Sequence, residues 1–145
     1  MLMSITEKPE ILFYQNIGQL FYAIAAADKV VRKAEYDALK AIVLNYWKKF
    51  EEAQAHYQEP LAYQMEVVFE WFDYERMDAQ DCFDSFSNYA KDNPKAFSKE
   101  KKKLIVRTAE AIASSFAGKN KSELIMLTKL KMLFGKLNTY NTSQI

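Results

Sequence analysis

The sequence predicts an all-α fold, a single-domain bundle of about six to seven helices in which one helical hairpin is pseudo-duplicated. Three observations predict it. The chain has 145 residues and is 50% apolar, enough for one sizeable core and too short for two ordinary domains. It contains only 3 Gly and 3 Pro, whereas an all-β chain needs many turn residues. Apolar residues recur at helical spacing in six successive segments. The expected domain is 1–145, with an ordered core of about 9–135 and a polar tail, 138–145, that frays.

The first helix is expected from Pro9, a favoured first-turn residue, to about Ala27. Phe13, Ile17, Leu20, Phe21 and Ile24 form its inward stripe, and Gly18 in its interior points to close packing. Asp28 to Val31 is a short connection. The second helix starts near Lys33, carries Leu39, Ile42, Val43, Tyr46 and Phe50 inward, and runs to about Tyr57 before Glu59-Pro60 breaks it. The third spans about Leu61 to Tyr74, with Leu61, Met65, Val68, Phe69 and Phe72 inward.

Asp78 is a candidate N-cap for the fourth helix, which carries Cys82, Phe83, Phe86 and Tyr89 inward and stops at Asp92-Asn93-Pro94. Ser98 caps the fifth, with Leu104, Ile105, Ala109, Ile112 and Phe116 as its stripe and Gly118 as its end. Asn120-Lys121-Ser122-Glu123 reads as a capping box opening the sixth, with Leu127, Leu130, Leu133 and Phe134 inward and a stop at Gly135.

Composition excludes several classes of function. A net charge of +1 gives no reason to invoke nucleic acid or membrane. MLMSITEKPE lacks a basic start followed by an apolar run, and Gln15, Asn16 and Gln19 interrupt the most apolar stretch near it. No membrane span is expected, and a cytoplasmic location follows, in keeping with one reduced cysteine. Cys82 alone builds neither a disulfide framework nor a Cys-rich zinc site, and Asp81 and Asp84 beside it disfavour a thiolate. His56 is the single histidine, so common zinc sites and histidine triads lose their parts. Glu66/Glu70 and Asp81/Asp84 have no histidine partner for a ferritin-like di-metal site. There is no Gly-rich phosphate loop and no nucleophile elbow. The expectation is a protein that is not an enzyme and has no cofactor.

Charge is unevenly spread. Between Gln64 and Asp84, seven acids face Arg76 alone; between Lys91 and Lys136, twelve bases face four acids. Two readings stand: solvated faces that attract each other weakly within the domain, or an electrically two-sided surface for partners. Lys99, Lys101, Lys102 and Lys103 form the densest basic spot, suited to phosphate or anionic lipid. Glu100 interrupts it and no aromatic interleaves it, so no nucleic-acid partner is expected. Tyr63, Trp71, Phe72 and Tyr74, near a helix break, are either core or an exposed rim for a partner.

Residues 24–39 align without a gap on residues 112–127, with Ile, Ala, Lys, Glu and Leu coinciding. Each copy is a small-residue helix end, a short turn and a helix with Glu in its first turn, where the helix dipole favours it. Two similar helical hairpins explain this without any ligand. The segment Ala25-Ala26-Ala27-Asp28, then Glu35, then Leu39 resembles the TerB-like (tellurite resistance protein B-like) domain family, also found at the front of some membrane-anchored co-chaperones. Ala113 to Leu127 is similar to that family's weaker second copy.

The resemblance implies an all-helical domain with two related halves and a link to metal, oxyanion or other stress. It also implies a divalent-cation site, with Asp28 and Glu35 as first-half ligands and Glu123 as the second-half ligand. Two departures weigh on this. Lys29 stands where the family has Gly, bringing a positive charge and a β-carbon to a turn suited to left-handed geometry. Phe116 stands at the second Asp position, and three carboxylates beside a lysine fall short of the six to eight oxygens that Ca²⁺ takes. The competing roles are turn and cap hydrogen bonding for Asp28, and helix-start stabilisation for Glu35 and Glu123.

The expected function is therefore a non-catalytic module acting through another protein, through the acidic third helix or the aromatic edge. The alternative is a divalent-cation or small-ligand-binding stress protein with a degenerate site at Asp28, Glu35 and Glu123.

Overall fold

A computed structural model describes residues 8–54, 60–115 and 121–143, and all regular structure among them is helical. The helices are α1 (Lys8–Ala25), α2 (Lys33–Ile42), α3 (Lys48–Glu52), α4 (Gln64–Glu75), α5 (Ala79–Asp92), α6 (Lys99–Ser114) and α7 (Lys121–Ser143). A π-helical segment, Val43–Trp47, joins α2 to α3 in one rod, and a 3-10 turn, Pro94–Ala96, follows α5.

Helix α1 is the hub. It packs chiefly on α4 and α5 and touches α6 and α7 on other sides. Its predicted stripe, Phe13, Ile17, Leu20, Phe21 and Ile24, is fully in the core. Gly18 is required there: a Cβ would lie 2.8 Å from the Met65 carbonyl oxygen and 2.9 Å from its Cα, so α1 and α4 meet backbone to backbone. At the far end of the core, Phe97 gathers Phe13, Phe86, Phe134 and Tyr89 within 6.0 Å between ring centres.

The predicted caps form. Asp78 accepts from the Asp81 N–H and Ser98 accepts from the Lys101 N–H. Helix α4 ends with Arg76 in the left-handed region (φ 52), the Met77 N–H reaching the Phe72 carbonyl and the Arg76 N–H the Asp73 carbonyl. Tyr22 on α1 donates to the Met77 carbonyl at 2.7 Å and pins that corner.

The predicted stripe of the second helix is corrected in its later half. Leu39, Ile42 and Val43 are buried, but Tyr46 is exposed and Phe50 half-buried, while Trp47 and Glu51 are buried. The π-helical turn absorbs one extra residue, which shifts the inward face by one position from there on. Trp47 Nε1–H thereby reaches Thr108 Oγ1 at 3.0 Å, and the Thr108 hydroxyl donates to the Leu104 carbonyl. The Glu51 carboxylate accepts from the Leu61 and Ala62 N–H groups at 2.7 and 2.9 Å, satisfying amides ahead of α4.

Two helix ends also differ from expectation. The second rod ends at Glu52 rather than near Tyr57. Helix α7 passes through Gly135 and is helical to Ser143, into the tail expected to fray. A helix-interior glycine costs only about 1 kcal/mol relative to alanine, and the apolar stripe continues past it to the buried Leu137. His56, Tyr57, Glu59, Phe116, Gly118 and Asn120 lie outside the described residues, so the readings placed on them do too.

Candidate functional site

The connection between α1 and α2 builds most of the site by short-range bonds. Asp28 Oδ1 accepts from the Val30 N–H at 3.1 Å and shapes the turn. Lys29 sits at φ 70, the left-handed geometry expected at that position. Arg32 is the N-cap residue of α2, and Glu35, at the third helical position, accepts from the Arg32 N–H at 2.7 Å. Glu35 thus has the helix-start role, yet it is 0% exposed.

Tertiary packing brings in the rest. Helix α7 delivers Glu123, 2% exposed, to the same place. Arg32 Nη1 lies 2.9 Å from Asp28 Oδ2, 4.0 Å from Glu35 Oε1 and 3.8 Å from Glu123 Oε1. The three acids named from sequence therefore do converge, and the two hairpins meet through their first-turn glutamates. Ala25 and Ala113, corresponding residues of the two copies, are both buried. Sequence reasoning missed Arg32. The signal was its spacing, four residues after Asp28 and three before Glu35, the separations at which helix-borne ion pairs form. The charge expected from Lys29 is not what neutralises the acids: among the described residues Arg32 makes their ion pairs, and Lys29 is exposed.

The electrostatics follow from burial. Taking a carboxylate out of water favours its neutral form, and a neighbouring carboxylate does so further. Glu123 is pushed up to about 8, by burial first, then by the Glu35 charge and the hydrogen bond to Glu35. Burial also raises Glu35, against the pull of the Arg32 N–H, the Glu123 hydrogen bond and the Arg32 charge. Burial and mutual repulsion make the Glu35–Glu123 pair hold a proton more tightly than separate carboxyls would. Glu35 Oε2 is buried, and among the described residues no N–H or O–H group donates to it. Arg32 is raised, chiefly by its bond to Asp28.

The arrangement is a buried pair of carboxyl groups, with Asp28 beside it, facing one guanidinium. Its oxygens are of the hard kind that Ca²⁺ or Mg²⁺ takes. However, Arg32 Nη1 holds the place from which one cation would reach all three acids, so these residues as placed do not fit a bridging metal. Cys82 is buried and pushed up to about 11 by that burial, an inert thiol.

A second feature lies on α4. Val67, Trp71 and Tyr74 are exposed, with Tyr63 at its N-cap, while Phe72 turns inward against Tyr22. The aromatic rim therefore exists without Phe72. Among the described residues no helix is long and apolar enough to cross a membrane. No family model, curated protein or solved structure matches the chain.

Proposed function

We propose that this protein is a non-catalytic helical module that works by contacting another protein through the outer face of α4. One observation carries the reading. Tyr63, Val67, Trp71 and Tyr74 recur at helical spacing and are 38, 55, 57 and 85% exposed. Water-facing stripes of Trp and Tyr are expensive for a free surface and typical of contact surfaces. Glu66, Glu70, Asp73 and Glu75 flank the stripe, so the partner it suits presents a basic, amphipathic segment. The carboxyl–arginine cluster belongs to this reading as a structural clasp between the hairpins. A TerB-like identity, a stress link and a cytoplasmic location are proposed on the sequence resemblance and the single thiol.

A photo-crosslinking phenylalanine analogue at position 74 tests the contact in living cells. A discrete adduct at 74, absent when the analogue replaces the exposed Lys49, is the expected result. Equal labelling at both positions, or none at either, rejects the face as a contact surface.

The buried Glu35 Oε2 favours a second reading, a divalent-cation or small-ligand site at Asp28, Glu35 and Glu123 with Arg32 swung out. A ligand specific to the folded form raises the melting temperature. Under this reading millimolar Ca²⁺, Mg²⁺ or Zn²⁺ does so in the native chain and not in Asp28→Ala. An absent shift, or one unchanged in the variant, removes it.

A further inference from the structure

Helices α6 and α7 border an open groove of about 430 Å³, away from both features above. Its α6 wall comprises residues 99, 102, 103, 106, 107 and 110, spaced as one face of a helix. Four of these are cations: Lys99, Lys102, Lys103 and Arg107. Lys131 on α7 adds a fifth. Among the described residues the one acid lining the groove is Glu110, already paired with Lys131 at 3.1 Å. Like charges gathered on one helix face repel each other, and a bound anion relieves that repulsion.

The floor is apolar. Val106 is half-buried and Phe134 buried, and lysine stems run along the wall. Lys102 is only 7% exposed, so its charge sits at a desolvated edge of the groove. Gly135 also lines it. This glycine gives up helix stability, yet a Cβ there would meet nothing within 4 Å. Among the described residues nothing packs where its side chain would be, and the groove stays open there.

From the cationic wall, the apolar floor and this opening, we infer that the α6–α7 groove binds a single-chain amphiphilic anion, with its acid head on the lysines and its tail over Phe134. The volume suits such a ligand, since small-molecule sites occupy roughly 300–1,000 Å³.

Decanoate is the probe, titrated into the full chain and followed by backbone amide shifts. Saturable shifts confined to residues 99–110 and 131–135 are expected, with no such response to acetate or to decyltrimethylammonium. The double variant Lys99→Gln/Lys103→Gln, both exposed positions, should weaken binding about tenfold. Gly135→Leu fills the groove, favours the helix and leaves every charge in place, and it should weaken binding at least as much. Native affinity in either variant overturns the inference. So does an equal response to acetate, or binding to phosphatidylglycerol vesicles without binding of monomeric decanoate, which shows surface attraction only.

Discussion

The hairpin of α1 and α2 and the hairpin of α6 and α7 share a pattern but handle charge differently. The first is self-sufficient. Between residues 28 and 35 it shapes its turn with Asp28, caps its helix with Glu35 and supplies the counter-ion Arg32. The second contributes one buried acid, Glu123, and both of its partners at the site, Arg32 and Glu35, come from the other hairpin. A duplicated pattern can thus repeat a residue while its surroundings diverge: Glu35 caps its own helix, and Glu123 packs against the other hairpin.

The largest break in this asymmetry is expected from Glu35→Ala. It removes the acceptor of the Arg32 N–H, an ion-pair partner and the carboxyl group coupled to Glu123. Urea unfolding should show a loss of about 2–4 kcal/mol. A loss no larger than that of an exposed glutamate would show that the first hairpin does not depend on it.

Glu123→Gln sharpens the contrast. The folded-state value of Glu123 is raised, so the native state binds the proton that the unfolded chain has released. Stability contributed by the neutral form is full below the ordinary 4.5 and falls as pH rises toward about 8. Glutamine imitates the protonated acid at every pH. The variant should match the parent near pH 5 and exceed it by about 1–3 kcal/mol near pH 9. Parallel stability curves across that range would place the proton elsewhere.

Smaller effects separate the parts of the first turn. Asp28→Asn keeps an acceptor for the Val30 N–H but loses the charge facing Arg32 at 2.9 Å. A salt-sensitive loss of about 1 kcal/mol is expected in thermal unfolding; a loss insensitive to salt would credit the turn alone. Lys29→Gly relieves the left-handed backbone at φ 70 and should stabilise by no more than about 1 kcal/mol. Destabilisation would mean the lysine side chain carries a contact of its own.

Much of this was readable in the chain. The apolar stripe of α1 and the Asp78 and Ser98 caps follow from spacing and capping chemistry, while the grouping of Asp28, Glu35 and Glu123 was what the family resemblance implied. The Tyr46–Trp47 exchange was not readable, because a π-helical turn is a packing accommodation with no motif of its own. Nor was the passage of α7 through Gly135, because a glycine stops a helix only where tertiary contacts do not carry it onward.

The sequence by itself determined the helical class, the greasy interior and which acids sit in first turns, since these are set by residues three or four positions apart. Only the tertiary structure decided that two of those acids meet, buried, beside Arg32, and that five cations border one groove. Both outcomes depend on desolvation and on charges far apart in the chain, and neither exists until the helices pack.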